Sequence, residues 1–267
     1  MKIEDLKAVG RTLLAEVPAA RFAPGRKDYV GTGAAGDKSF AIDILAEEIV
    51  LTGLKALQEP LTIISEEMGV MELQGGGTRV MVDPVDGSKN AVAGIPFFCT
   101  SIAVSDGDVL GKVRLSYVLN LSNGDEFWAE AGSGAYLNGR RLQTQEDDLL
   151  SLVSYEAQVP AKDLPAIMPL LSQSRKTRCL GATALDLAYL ACGASSVFVT
   201  PSRSRSFDFA GGWLLAKEAG AVITNISGED IESVSLDLKK STSLLAAGNK
   251  GLHKKALALL SKGGKHV

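Results

Sequence analysis

Residues 83–88 read Asp83-Pro84-Val85-Asp86-Gly87-Ser88 and follow directly on the apolar run Arg79–Val82. The run predicts a buried strand ending at Asp83, after which the proline enforces a tight turn that brings Asp86 close to Asp83. Two carboxylates fixed at one strand end repel each other unless a cation sits between them. Gly87 lets a ligand approach the backbone closely. A helix starting just after it would aim free amides at an anion, most naturally a phosphate. Oxygen donors with no His or Cys nearby favour a hard ion, Mg2+ or alternatively Mn2+.

Working outward, Leu61–Ile64 is a second short buried strand, and it runs into Ser65-Glu66-Glu67. In an α/β sheet its end opens on the same crevice as Asp83. Asp208, after Ser204-Arg205-Ser206-Phe207, opens a helix over Phe209–Ala219. Taken singly, Asp208 reads as a helix cap, Asp83 and Asp86 as turn acids, and Glu66–Glu67 as a solvated strand end. Their joint position at element ends points to a shared site.

The remaining pattern is mixed. Ile3, Leu6, Val9, Leu13 and Val17 have helical spacing and predict an opening helix ended by Pro18; Ile42–Leu54 is a second helix. Cys99–Val104, Gly111–Leu119 and Asp125–Glu130 are strand-like. From about residue 151 strands alternate with helices: Leu152–Tyr155, 161–172, Thr183–Cys192, Val197–Val199, Ala221–Thr224, Leu244–Ala247 and a Lys-rich final helix. The fold class is α/β (α+β) in two layers, with a boundary in the polar stretch 145–150 that separates an N-terminal half, 1–147, from a C-terminal half, 148–267.

Composition narrows the chemistry. The 267 residues carry 28 Lys plus Arg against 31 Asp plus Glu, a net charge of −3, so nucleic acid and anionic membrane are poor partners. The two histidines, His253 and His266, fall near the end of the chain, where few side chains are well held, which argues against His-based catalysis or a zinc-His site. Cys99, Cys179 and Cys192 read as buried free thiols, and the opening residues lack the apolar core of a signal peptide; together they suggest a cytoplasmic protein.

Gly31-Thr-Gly33-Ala-Ala-Gly36 matches the G-x-G-x-x-G dinucleotide fingerprint, and an NAD-binding oxidoreductase is the reading from a different class. That motif requires a buried strand feeding the turn, whereas Arg26–Val30 is a poor one. A surface loop that closes over a metal site, bringing Asp37 with it, is the better fit.

The combined motifs resemble the inositol monophosphatase family, within the lithium-sensitive, metal-dependent phosphatase superfamily that includes fructose-1,6-bisphosphatase. The resemblance rests on Ser65-Glu66-Glu67, Asp83–Ser88, Gly181-Ala-Thr183-Ala-Leu-Asp-Leu-Ala188 and Phe207-Asp208-Phe209-Ala210-Gly211 through Glu218-Ala219-Gly220. It implies a layered α-β-α-β-α fold with two sheets between helices, the N-terminal half holding metal and phosphate and the C-terminal half the substrate side with Asp208. It also implies a homodimer. Two or three Mg2+ ions would bind: Glu66, Asp83 and the Val85 carbonyl at one, Asp83, Asp86 and Asp208 at another, and Asp37 near a third. Gly87 and Ser88 amides would grip the phosphate, with Asp86 and Thr183 on the substrate side. Asp43 would pair with the Ser88 hydroxyl, where the family more often has threonine; these two, with Glu66, would orient the attacking water. The family's inositol-specific glutamate is replaced by Pro201, and Arg203 and Arg205 would suit a second phosphate or else are surface charges. The substrate is then a sugar or inositol phosphate, with fructose 1,6-bisphosphate or 3′-phosphoadenosine 5′-phosphate as alternatives.

Overall fold

A computed structural model describes residues 1–263; His266 lies outside the described residues. The chain opens with α1 (Ile3–Ala20), then a small antiparallel hairpin of β1 (Tyr29–Thr32) and β2 (Lys38–Phe40), then α2 (Ala41–Ala56). Next come β3 (Leu61–Ser65), β4 (Gly69–Leu73), β5 (Thr78–Asp86), the short α3 (Ser88–Ala93), β6 (Cys99–Ser105), β7 (Val113–Asn120), β8 (Glu126–Glu130), β9 (Gly134–Leu137) and β10 (Arg140–Arg141). The second part runs β11 (Leu152–Tyr155), α4 (Pro160–Leu171), β12 (Lys176–Arg178), α5 (Thr183–Ala191), β13 (Val197–Arg205), α6 (Ser206–Glu218), β14 (Val222–Thr224), β15 (Lys240–Ala247) and α7 (Lys250–Gly263).

The strands form an eight-stranded sheet, in the order β10-β9-β8-β7-β6-β5-β3-β4, and a five-stranded one, β12-β11-β13-β15-β14. Alternation along single strands sets the layers. Val80 and Val82 face the core under α1 and α2, while Met81 between them faces α5 and α6. In the second sheet Val197 and Val199 face the core under α4 and α7, and Phe198 turns inward to the same α5–α6 layer. A period-2 strand must place neighbouring side chains on opposite faces, so apolar residues on both faces demand a helix layer on each side. The outcome is the α-β-α-β-α order: α1–α2, large sheet, α5–α6, small sheet, α4–α7. The layer between the sheets is buried from both sides, so α6 is apolar nearly all round from Phe209 to Ala216.

Several expectations are corrected. Helix α1 does not stop at Pro18 but runs through it to Ala20. The hairpin strand β4 has no counterpart in the sequence reading. Strand β5 does not end at Asp83: it continues to Asp86 through a bulge in which Asp83 pairs with Ser101 and Asp86 with Cys99. Pro84 has no N–H for the ladder and so sits where the pairing slips, with its carbonyl accepting from Thr100 Oγ1 at 2.7 Å. Cys99 is buried, but Cys179 is exposed and Cys192 is only partly covered. His253 is well held: it is buried in α7 and hydrogen-bonded to Thr224 Oγ1 at 2.8 Å, on the far side of the small sheet from the acids.

Candidate active site

The acids gather where elements of both sheets end. The parallel pair β3 and β5 points two strand ends the same way, Ser65 lying beside Val82, so Glu66 and Asp83 emerge as neighbours. The bulge at Pro84–Val85 lets both Asp83 and Asp86 contribute from one strand. Asp208 comes from the second half, in the first turn of α6, where its Oδ2 accepts the Arg205 N–H at 2.8 Å. Asp43 holds the equivalent place in α2, with Oδ2 accepting from the Phe40 N–H at 2.7 Å.

Electrostatics ties these carboxyls into one group. Burial, then the charges of Glu66, Asp86, Asp208 and Asp43, holds the Asp83 carboxyl well above the usual carboxylate range. Burial, then Asp208 and Glu67, does the same for Glu66. Asp86 is raised by burial and by Asp208 despite an N–H donated by Ala184 to its Oδ2 at 2.6 Å. Burial lifts Asp208 to about 6, with the Arg205 N–H and guanidinium acting against it. Asp43 is also pushed up to about 6 by burial, offset by the Phe40 N–H and by the Ser88 hydroxyl beside it. That hydroxyl donates to the Val85 carbonyl at 2.9 Å.

A divalent cation fits this group. The Asp83 Oδ1 is buried without a hydrogen-bond partner, as is the Asp43 Oδ1. The donors are all oxygen, and mutual repulsion is what a hard cation relieves. Among the described residues no three acid, His or Cys side chains converge on one ligating point; what joins these carboxyls is that the charge of each raises its neighbours. Beside them Gly87 has φ +90, and a Cβ there would come within 3.0 Å of the Gly181 and Phe97 carbonyl oxygens. Only glycine lets the chain turn there from β5 into α3, whose first amides have no partner within the helix.

The other expected residues divide. Thr183 is the first residue of α5, and its backbone N–H helps hold Asp86. Arg203 is exposed on β13. Arg205 is engaged: its guanidinium pairs with Asp37 and donates through Nη2 to the Ala35 carbonyl at 2.8 Å. Asp37 thus meets an arginine. The glycine motif at Gly31–Gly36 spans the tip of the β1–β2 hairpin, and β1 is fully exposed, not the buried strand a dinucleotide site needs.

Sequence reasoning places Glu67 at the strand end without giving it a role, and misses Glu156 and Asp186. Glu67 accepts from the Ser39 hydroxyl and is pushed up to about 7 by burial, with Asp43 and Glu47 adding to the rise. Glu156, at the end of β11, accepts the Gly181 N–H at 2.7 Å and is raised by burial. Asp186 in α5 has both oxygens buried and unpartnered, and burial and Glu156 raise it. An acid inside the apolar run Ala184-Leu-Asp186-Leu-Ala188 is the available signal for Asp186.

The sequence profile of the inositol monophosphatase family matches residues 6–265. The chain belongs to the inositol monophosphatase family. With that membership it is a phosphatase, a hydrolase of phosphoric monoesters. It is similar to the fructose-1,6-bisphosphatase/inositol-1-monophosphatase of Methanothermobacter thermautotrophicus, 34% identical over 244 residues and covering 87% of each chain. It is also similar to the fructose-1,6-bisphosphatase of Pyrococcus furiosus, 35% identical over 227 residues, covering 84% of each. A solved inositol monophosphatase–fructose 1,6-bisphosphatase superposes with TM-score 0.84 at 29% identity, over 97% of this chain and 100% of that one. The layers described above are therefore those of the inositol monophosphatase fold.

Proposed function

We propose that this chain hydrolyses a sugar or inositol phosphate with Mg2+, Mn2+ being able to substitute. The observation that carries this reading is the set of buried Asp83 and half-buried Glu66, Asp86 and Asp208, repelling one another beside the glycine turn that opens α3. Glu66, Asp83 and the Val85 carbonyl would hold one ion, and Asp83, Asp86 and Asp208 a second. Bound there, the metal supplies positive charge to the phosphoryl oxygens and makes water more acidic. The chain's own groups do the rest. The first amides of α3, at Gly87 and Ser88, receive the phosphate. The Ser88 hydroxyl and Asp43 would orient the attacking water opposite the leaving alkoxide, with the Asp43 carboxylate accepting its proton. Glu66 would assist in orienting that water. Asp86 and Thr183 flank the sugar, with Asp86 fixed by the Ala184 N–H.

The names of the relatives support two substrates, inositol 1-phosphate and fructose 1,6-bisphosphate. The side chains favour the monophosphate, because Arg205 is committed to Asp37 and Arg203 is exposed on β13. Lithium sensitivity and a homodimer belong to the same proposal and rest on family membership. A cytoplasmic location rests on three unpaired cysteines; no described helix is long and apolar enough to cross a membrane. The test is phosphate release from inositol 1-phosphate, fructose 1,6-bisphosphate and 3′-phosphoadenosine 5′-phosphate with Mg2+, then with chelator, then with Li+ added. Mg2+-dependent release that prefers inositol 1-phosphate is expected; release unaffected by chelation would refute the metal scheme.

A further inference from the structure

Two segments 168 residues apart meet over the acids. The hairpin tip folds onto the end of β3: the Ala34 N–H donates to the Glu67 carbonyl at 2.9 Å and the Ala35 N–H to the Glu66 carbonyl at 3.1 Å. Gly33 lies so close that a Cβ would fall 2.7 Å from Glu67 Oε2 and 3.0 Å from the Glu66 carbonyl. From the opposite side Arg205 reaches across with both arms of its guanidinium, one to Asp37 Oδ2 and one to the Ala35 carbonyl. Its side chain is only 11% exposed although Asp37 is 61% exposed. The residue is also anchored at its own backbone, whose N–H is held by Asp208. A guanidinium keeps its charge at any physiological pH, and its planar fork matches a carboxylate and a carbonyl together. The positive charge therefore lies permanently between Asp37, Glu66 and Asp208.

We propose that Arg205 is a positioning residue that takes, at Asp37, the place the family resemblance reserves for a third divalent ion: it holds the hairpin tip shut over Glu66, and the site binds two ions. The inference rests on the proposed ion-binding role of Glu66, Asp83, Asp86 and Asp208. Asp37 is a single, mostly exposed carboxylate whose near oxygen already has a cation. An incoming ion would have to displace a guanidinium that cannot be neutralised, that is also bonded to the Ala35 carbonyl, and whose residue is anchored by its backbone N–H to Asp208. Neither Arg203 nor another basic side chain reaches this carboxylate among the described residues.

The experiment counts Mn2+ bound to the full chain, without substrate, by electron paramagnetic resonance of the free ion, and follows trypsin cleavage around the hairpin at Arg26, Lys27 and Lys38. Two ions per chain are expected for the wild type. Asp37→Asn should still bind two, while cleavage in the hairpin speeds up about 5- to 10-fold because one ion pair and its closure are lost. Arg205→Gln should free Asp37 and gain a third, weaker ion that disappears in the Asp37→Asn, Arg205→Gln double variant. Three ions on the wild type, loss of an ion in Asp37→Asn, or unchanged cleavage in both single variants would overturn the inference. Should Arg205→Gln fail to fold, the Asp37→Asn result alone decides. No binding of Mn2+ to the wild type would overturn the proposed function as well, whereas three ions would leave that function standing and sink only the role of Arg205.

Discussion

Replacing Asp83 with asparagine tests the acid group most directly, because it removes one charge and little volume. Asp83 is 3% exposed, its Oδ1 has no partner, and four neighbouring acids oppose its ionisation. Asp43, also 3% exposed, gives the scale: its carboxyl moves from 3.8 to about 6. At about 1.4 kcal/mol per unit that is about 3 kcal/mol between its two protonation states. A folded-state pKa above the unfolded one means that the native state binds the extra proton. Stability without ions is therefore greatest at low pH, falls as pH rises from the unfolded value through the folded one, and carries the full penalty above it. Asp83, inside the group, should bear a penalty of at least this order. Unfolding by urea in EDTA at pH 4.5 and pH 8.5 then separates the charge from everything else. The substituted amide does not titrate, so whatever its hydrogen bonding costs is the same at both pH values and cancels from the comparison. Between them the wild type should lose at least about 2 kcal/mol more than Asp83→Asn does. At pH 8.5 saturating Mg2+ should stabilise the wild type and leave the variant nearly unmoved, and phosphate release by the variant should fall at least about 1,000-fold. Equal pH slopes for the two proteins, or an equal gain from Mg2+, would refute the reasoning.

Other substitutions separate the roles. Ser88→Ala and Asp43→Asn should each lower kcat by roughly 100- to 10,000-fold with little change in KM, as expected for groups that handle the water; steady-state kinetics in saturating Mg2+ decides it. Gly87→Ala forces a side chain into φ +90 and against two carbonyl oxygens at 3.0 Å. It should cost at least about 1–2 kcal/mol in urea unfolding and raise the KM for phosphate esters. Without ions, wild-type stability should decline as pH rises through about 6 to 7, where Asp43, Asp208 and Glu67 ionise, and Mg2+ should flatten that decline in thermal scans. His253→Ala should lose about 1–2 kcal/mol of stability, through the bond to Thr224 Oγ1, and keep its kcat.

Much of the fold is legible because the local rules agree. The runs Leu61–Ile64 and Leu152–Tyr155 are strands within a residue of their expected ends, and their apolar side chains sit in the layers that alternation requires. The acids are legible by position, since Glu66 and Asp83 stand where an apolar run gives out and Asp208 stands where one begins. Pro84 misleads because a proline that cannot donate suits a bulge as well as a turn, and only the partner strand decides between them. Pro18 misleads because a proline near a helix end costs little when the face below it is buried, as Val17 is. The pairing of Arg205 with Asp37 cannot be read from sequence at all. It joins segments 168 residues apart, and nothing local distinguishes an arginine that faces a substrate from one that faces a loop.

The same acids explain why the site and the fold are hard to separate. Asp86 is fixed by the start of α5, Asp208 by the backbone of Arg205, and Asp43 by the backbone at the start of α2, so each carboxyl is held by an element end from a different part of the chain. Burial makes every one of them costly to ionise, and among the described residues none of them forms an ion pair with a basic side chain, Arg205 pairing with Asp37 instead. A structure organised only for stability would relieve such repulsion by one substitution to a neutral side chain. Retaining four mutually repelling acids fits the proposed divalent ion, and under that proposal the balance between Arg205 and the ion would set how tightly the hairpin closes over the site.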